Sequence, residues 1–351
     1  MLVRAAIPAF HGIVTRDELF ALAAHDDVAS RLVKRSRHRY SLDDGPFSSA
    51  ELARLPRNGW TLLVQGVNLH HDAADALLRR FAFVPYARLD DVMVSYAAPG
   101  GGVGPHYDSY DVFLLQGDGR RRWRYGRQDD LSLRPDAPLK VLRHFEPQHD
   151  VTLDAGDMLY LPPDCVHDGI AVDECITYSI GFRAPRFQEL AEGFLDYLRD
   201  TVELPGRYAD PDLRPSRAAG RIDARLQRRV RQALASIRWD AATIARFIGR
   251  FLTEPKPDVV FVRPPRRSRA AFERRIDREG VRLDRKTQLL YDDACYYMNG
   301  DDALLPPHDA ATLRRLADRR LLTSGECAVL TPATRELLHD WQRHGFLADA
   351  A

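Results

Sequence analysis

Gly104-Pro105-His106-Tyr107-Asp108 and the later stretch Asp154-Ala155-Gly156-Asp157-Met158-Leu159-Tyr160-Leu161-Pro162-Pro163-Asp164-Cys165-Val166-His167 decide the fold. Together they offer two imidazoles and one carboxylate: His106, Asp108 and His167. That is the ligand set of a facial triad, which holds Fe(II) on one face and leaves the remaining positions open. Residues i and i+2 of a strand point to the same side. The spacing therefore predicts a strand on which His106 and Asp108 reach one ion while Tyr107 faces away. The second stretch predicts a turn, a short buried strand and a proline-stiffened loop ending on His167. H-x-D by itself is common by chance, and its surroundings set this one apart. Just upstream, Pro99-Gly100-Gly101-Gly102-Val103-Gly104-Pro105 allows the close backbone approach and tight turn that a metal mouth requires.

A third segment narrows the chemistry. Tyr110–Gln116, Gly117-Asp118-Gly119 and Arg120-Arg121-Arg122-Trp123-Arg124-Tyr125-Gly126 read as strand, hairpin turn and returning strand. Alternation places Arg121 and Trp123 on one face and Arg120, Arg122 and Arg124 on the other. An arginine on the inner face can grip a dicarboxylate through a bidentate pair whose geometry lysine cannot match. The alternative is a solvated basic strand.

These segments resemble the two metal-bearing motifs of the cupin, or double-stranded β-helix, fold. Gly156, Pro162 six residues on and His167 five further follow its spacing, with Asp164 standing where many cupins have glycine. With the arginine strand added, the chain resembles the JmjC-type 2-oxoglutarate oxygenases. A basic residue on that strand binds the distal carboxylate of the co-substrate, and counting from the first histidine gives Arg121 the role. The run from Trp60 to Phe182 is similar to the bacterial ribosomal oxygenases, JmjC enzymes that hydroxylate an arginine of large-subunit ribosomal protein L-sixteen. The match rests on Gly59–Asn68, Pro99–His106, Tyr110–Phe113, Gln116-Gly117 with the arginine strand, Tyr160–Pro163, His167–Gly169 and Tyr178–Pro185.

The resemblance implies that His106, Asp108 and His167 are the catalytic metal ligands, that Arg121 clamps 2-oxoglutarate and that Ser179 lines the co-substrate site. It also implies consumption of O2 and hydroxylation at the β-carbon of an arginine. Spacing alone stops at an iron- and 2-oxoglutarate-dependent enzyme. An arginine substrate needs an acidic or aromatic partner; Tyr110 and Asp111 are candidates, and the sequence does not choose between them. One rival is a JmjC oxygenase acting on a histidine or another residue of a different protein, since the core fixes the reaction and not the target. Another is a non-catalytic metal-binding cupin regulator coupled to a winged helix. Arg121 separates these classes, because a sensor has no evident need of a dicarboxylate clamp.

At 351 residues the chain exceeds one compact core. Its fold class is α+β, in three parts. A JmjC/cupin catalytic domain takes residues 1–204, with its core over 91–183. A linker and helical dimerisation region follow over 205–254, and a winged-helix-like domain over 255–351. In the first part Thr15-Arg16-Asp17-Glu18 is a capping box, His71–Phe83 a helix, and Arg186–Leu204 a helix that closes the unit. Ser216–Glu254 is helical, with apolar stripes Ile222, Leu226, Val230, Ala233, Ile237 and Ile244, Phe247, Ile248, Phe251, Leu252. Ten arginines face two acids between Arg214 and Arg250, but stripes this long favour packing against a twin subunit in a homodimer. In the last part Val259–Val262, Gly280–Leu283 and Thr287–Tyr291 read as strands, Asp309–Arg320 as a helix, Leu321–Thr331 as a wing hairpin and Pro332–His344 as a closing helix.

Charge bears on partners. The whole chain carries +1, and 17 Lys/Arg face 15 Asp/Glu from Lys256 onward. A near-neutral module suits protein docking better than a phosphate backbone, so no direct nucleic-acid binding is expected. No apolar run approaches a membrane span, and Met1–Pro8 is too short for a secretory signal. Cys165, Cys175, Cys295 and Cys327 form no paired pattern, which fits a reducing cytoplasm.

Overall fold

The computed structural model describes residues 1–36, 39–211, 213–215 and 217–348; Ser216, the expected start of the helical segment, lies outside the described residues. The strands of the first half are β1 (Leu2–Val3), β2 (Ser30–Ser36), β3 (Arg39–Asp44), β4 (Trp60–Val64), β5 (Leu89–Ala97), β6 (Val112–Asp118), β7 (Arg121–Gly126), β8 (His149–Leu153), β9 (Met158–Leu161), β10 (Val166–Ala171) and β11 (Cys175–Phe182). They form an eight-stranded sheet, β1-β9-β6-β11-β5-β4-β2-β3, and a three-stranded sheet, β10-β7-β8. Both are antiparallel, the double-stranded β-helix arrangement.

β6 and β7 do not form the expected hairpin. β6 pairs with β9 and β11 in the large sheet, and β7 with β8 and β10 in the small one. The chain switches sheets at Gly119, where φ is +59° and a Cβ would overlap the carbonyl oxygen of Glu174. A hairpin pays its turn with local pairing; here the same Gly-Asp-Gly carries the chain across the barrel, as the double-wound topology demands. Around the large sheet, Leu62, Val64, Val92, Val94, Leu115, Tyr178 and Ile180 are among the most deeply buried side chains. The Tyr178 hydroxyl accepts from the backbone N–H groups of Ile13 (2.8 Å) and Val14 (2.9 Å), so the buried phenol is satisfied.

Three helices flank this sheet: α1 (Arg16–Leu22), α2 (Ser49–Ala53) and α3 (Asp72–Arg79). The Thr15–Glu18 capping box is present. Beyond the barrel come α4 (Phe187–Thr201), α5 (Ala224–Leu234), α6 (Ala241–Thr253) and α7 (Arg269–Glu279). Then follow the short strands β12 (Val281–Arg282), β13 (Leu289–Tyr291), β14 (Cys295–Met298) and β15 (Asp301–Leu304), and α8 (Ala310–Arg319), β16 (Leu321–Leu322), α9 (Ser324–Ala328) and α10 (Pro332–Arg343).

Two compact units result. One holds residues 1–184, 255–287 and 306–351; the other holds 185–254 and 288–305. The chain changes unit after 184 and after 254, and the residues beyond 254 are divided between the two units. α4, expected to close the barrel unit, groups instead with α6, with Phe194 edge-on to Phe247 at 5.3 Å. The β13-β14-β15 sheet joins the same unit, because Gly249 of α6 seats the ring of Tyr297 and Arg250 donates to the carbonyl of Gly300 at 2.8 Å.

Two readings in the C-terminal region need correction. Val259–Val262 is not a strand among the described residues; Pro255, Pro257, Pro264 and Pro265 around it remove ladder donors. The stretch Leu321–Thr331 is not a hairpin: β16 pairs with β12, and Thr323-Ser324-Gly325-Glu326 then forms a capping box that opens α9. That T-x-x-E signature outranks the turn residues within it.

Candidate metal and co-substrate site

The three ligands meet. One donor atom from each of His106, Asp108 and His167 lies within 4.8 Å of the others. The expected strand over His106–Asp108 is reduced to one bridge. His106 N–H donates to the His167 carbonyl (3.0 Å) and His167 N–H returns the bond to His106 (2.8 Å). Pro105 lacks a donor, so no regular ladder can extend through it. Three further bonds still hold the segment: Gly100 N–H to the Ala171 carbonyl (2.8 Å) and Ala171 N–H to the Gly101 carbonyl (2.9 Å) at the end of β10, and Asp164 N–H to the Asp108 carbonyl (2.8 Å) just before it. Asp164 has φ +61°, so the aspartate adopts the left-handed turn for which cupins often use glycine.

Each imidazole is oriented by its own backbone. His106 Nδ1 lies 2.8 Å from the carbonyl of Gly104, and His167 Nδ1 lies 2.9 Å from that of Cys165. Carbonyls only accept, so both Nδ1 atoms carry the hydrogen and both Nε2 lone pairs are free to ligate. Burial, then the neighbouring His106, holds His167 down at about 3. It is therefore neutral at physiological pH. Its Nε2 stands 3.7 Å from Asp108 Oδ2, a separation that fits two donors sharing one centre rather than an ion pair. Two imidazoles and a carboxylate fit a divalent first-row metal.

A cavity of about 150 Å³ opens beside the triad, lined by residues that include Arg121, Ser179, Tyr110, Asp90, Asp91 and Lys256. Arg121 is buried and Arg122 exposed, as strand alternation requires. Arg121 Nη1 donates to Ser95 Oγ at 2.9 Å and to Thr177 Oγ1 at 3.3 Å, and its guanidinium lies 5.3 Å from the Trp123 ring. No carboxylate pairs with it among the described residues, and its Nε has no hydrogen-bond partner. Burial pulls its pKa below the ordinary arginine value. A buried cation held by two hydroxyls and an aromatic ring fits an incoming carboxylate.

The opposite end is acidic. Asp91, Met93 and Ser95 alternate along β5 and line the cavity together, so Asp91 lies roughly 13 Å along the strand from Ser95. Asp91 Oδ2 accepts from Gly66 N–H at 2.9 Å. Burial, then the adjacent Asp90, pushes the Asp91 pKa up. Asp90 is engaged by Lys256 Nζ at 2.9 Å and Arg183 Nε at 3.5 Å. Burial opposes the charge of Lys256, but Asp90 and Asp91 outweigh it and raise the ammonium pKa. Burial, followed by Asp108, also raises the Tyr110 phenol.

Of the candidates for gripping a cationic substrate, Tyr110 lines this cavity, whereas Asp111 accepts from Tyr160 Oη at 2.7 Å and lies 3.6 Å from Arg88. Sequence reading passed over Ser95, Thr177, Asp90, Asp91 and Lys256. Period two from Asp91 to Ser95 was available as a signal, but which face turned inward depends on the pairing of β5 with β11.

A β-helix barrel with such a triad is common to metal-binding cupins and JmjC-type oxygenases, and it is the JmjC domain model that matches here, over residues 76–190. A ROXA-like winged-helix model matches residues 236–348, and an AraC-like ligand-binding model residues 141–245. The ribosomal protein uL16 3-hydroxylase of Escherichia coli is 38% identical over 253 residues, 72% of this chain and 67% of that protein. A probable ribosomal oxygenase of Haemophilus influenzae is 37% identical over 202 residues, 55% of this chain and 48% of that one. The solved structure of YcfD, a ribosomal oxygenase from Escherichia coli, in complex with cobalt and 2-oxoglutarate superposes with a TM-score of 0.83. It is 31% identical, over 99% of this chain and 94% of that one. The chain belongs to the bacterial ribosomal oxygenases of the JmjC family.

Proposed function

We propose that this chain is an Fe(II)- and 2-oxoglutarate-dependent hydroxylase acting on the β-carbon of an arginine in ribosomal protein L-sixteen. The observation that carries the reading is a polarised cavity: an uncompensated guanidinium at one end, carboxylates at the other, and the triad alongside. Fe(II) held by His106, Asp108 and His167 would supply oxidative decarboxylation, in which 2-oxoglutarate and O2 give succinate and CO2 while one oxygen atom enters a substrate C–H bond. Arg121 pairs with the distal carboxylate of the co-substrate, and Ser179 lies between the two poles of the cavity wall. Asp91 accepts hydrogen bonds from the substrate guanidinium. The name of the Escherichia coli relative agrees with this target.

The acidic pole favours a cationic side chain over the neutral imidazole of the histidine rival. The buried clamp counts against a pure metal sensor. No helix among the described residues is long and apolar enough to cross a membrane, in keeping with work on a cytoplasmic ribosomal protein. Ile222, Val230 and Leu234 stand exposed around α5, which buries none of its own side chains; a twin subunit covering that face would make the homodimer expected from the sequence.

The test is intact-mass spectrometry of recombinant ribosomal protein L-sixteen after incubation with the protein, Fe(II), ascorbate and 2-oxoglutarate under air. One added oxygen on an arginine, absent with His106→Ala, is the expected result. Succinate without a modified arginine would overturn the substrate, and neither product would overturn the chemistry.

A further inference from the structure

The acidic pole is already half-occupied by a residue of the chain itself. Lys256 reaches the wall of the catalytic cavity from the segment Pro255-Lys256-Pro257, and its Nζ lies 2.9 Å from Asp90 Oδ1. Its backbone is constrained from both sides. Pro257 fixes its own φ and biases Lys256 toward extended conformations, while the Lys256 carbonyl accepts from Val259 N–H at 2.9 Å. The backbone is pinned and the ammonium is not: the Lys256 side chain is 46% exposed and Asp90 32% exposed. A pair this wet contributes little to folding, so it can be broken at small cost. Asp90 also has Arg183 at 3.5 Å, so losing the lysine does not leave it without a cation.

We propose that Lys256 is a specificity-determining residue, an internal cation that competes with the substrate's cationic side chain for the Asp90–Asp91 carboxylates. The inference rests on the cationic-substrate reading above. With Lys256 in place, Asp90 is neutralised and Asp91 alone remains for the incoming charge, so the pole matches a singly charged guanidinium. Any cation entering must do so against a like charge on the cavity wall. Lys256 therefore weakens binding of cationic side chains in general, and only a substrate with enough contacts outside the cavity overcomes it.

The experiment compares KM for a peptide of ribosomal protein L-sixteen carrying the target arginine with KM for the same peptide carrying neutral citrulline there. It uses the full-length holoenzyme as wild type, Lys256→Met, Lys256→Arg and Asp91→Asn. Lys256→Met lowers KM for the arginine peptide about fivefold, the size expected for removal of one like charge at a half-exposed site, and leaves that for citrulline in place. Lys256→Arg restores the wild-type ratio. If Lys256→Met leaves or raises the arginine KM while Asp91→Asn still raises it, the proposal is overturned and the cation subsite stands. A lower melting temperature with an unmoved KM ratio would likewise reduce Lys256 to a structural role. If Asp91→Asn changes nothing, the cation subsite itself fails and this inference falls with it.

Discussion

Replacing Arg121 by methionine removes a buried cation while keeping most of the side chain's volume. Arg121 is 4% exposed, and its guanidinium donates to the Ser95 and Thr177 hydroxyls, with no carboxylate partner among the described residues. A co-substrate carboxylate arriving there would make a bidentate, charge-assisted pair worth about 3–4 kcal/mol. Its loss weakens 2-oxoglutarate binding roughly 150- to 900-fold. The protein without ligands should respond with the opposite sign. An uncompensated buried cation costs about 1–3 kcal/mol of desolvation, which methionine removes at the expense of two hydroxyl hydrogen bonds. The ligand-free variant should thus melt no lower than the wild type. Calorimetric titration with 2-oxoglutarate on protein loaded with Mn(II), together with melting curves with and without co-substrate, reads both signs. Metal affinity should survive, because Arg121 is not among the ligands. Equal co-substrate affinity, or a ligand-free melting point several degrees lower, would refute the reasoning and make Arg121 a structural residue.

Removing a metal ligand by His106→Ala or Asp108→Ala should abolish both succinate formation and hydroxylation at saturating Fe(II); activity restored by excess iron would count against the triad. Asp91→Asn should raise KM for an arginine-bearing substrate about tenfold while KM for 2-oxoglutarate moves less than about twofold, since the two poles are separate. His167 sits at about 3 in the fold against the ordinary 6.5, so below pH 6.5 the unfolded chain takes up a proton that the native site refuses. The metal-free protein should therefore lose up to about 1.4 kcal/mol of stability per pH unit as pH falls from 6.5 toward 3, a dependence that His167→Gln should flatten in denaturant titrations. Val230→Glu places a charge on the exposed face of α5 and should shift sedimentation from dimer to monomer; a sedimentation profile like that of the wild type would remove that face from the interface.

What was legible in the sequence was local chemistry. His106, Asp108 and His167 stand out because ligation needs particular atom types at short spacing, and Arg121 because period two sorts it from Arg120 and Arg122. Pairing was not legible. Gly117-Asp118-Gly119 has the composition of a hairpin turn, yet β6 and β7 lie in different sheets, a fact fixed by contacts with β9, β10 and β11 far along the chain. Asp91 and Thr177 gain meaning only from register: Thr177 opposes Ser95 on one side and Gln116 on the other, which lines up the polar groups around Arg121. Lys256 could not be found at all from its neighbours, because 165 positions of chain separate it from Asp91. Family likeness supplied the target and the winged helix where spacing stopped.

The two poles of the cavity explain each other. Arg121 is pulled below the ordinary arginine value and Asp91 pushed above the ordinary aspartate value, each chiefly by burial. A protein selected only for stability would pair these groups or replace them with apolar ones. Here Arg121 is held at Ser95, which lies roughly 13 Å along β5 from Asp91, so the two charges stand at different places on one wall. Each charge would then be relieved by a different ligand: the dicarboxylate at the guanidinium and the cationic side chain at the carboxylate. Neither ligand fits well at the other's end, since each would meet a like charge there. The same wall would thus order the two ligands beside the triad, and it is the separation of the poles along β5, more than any single residue, that would bring a carbon of the substrate side chain near the metal ligands.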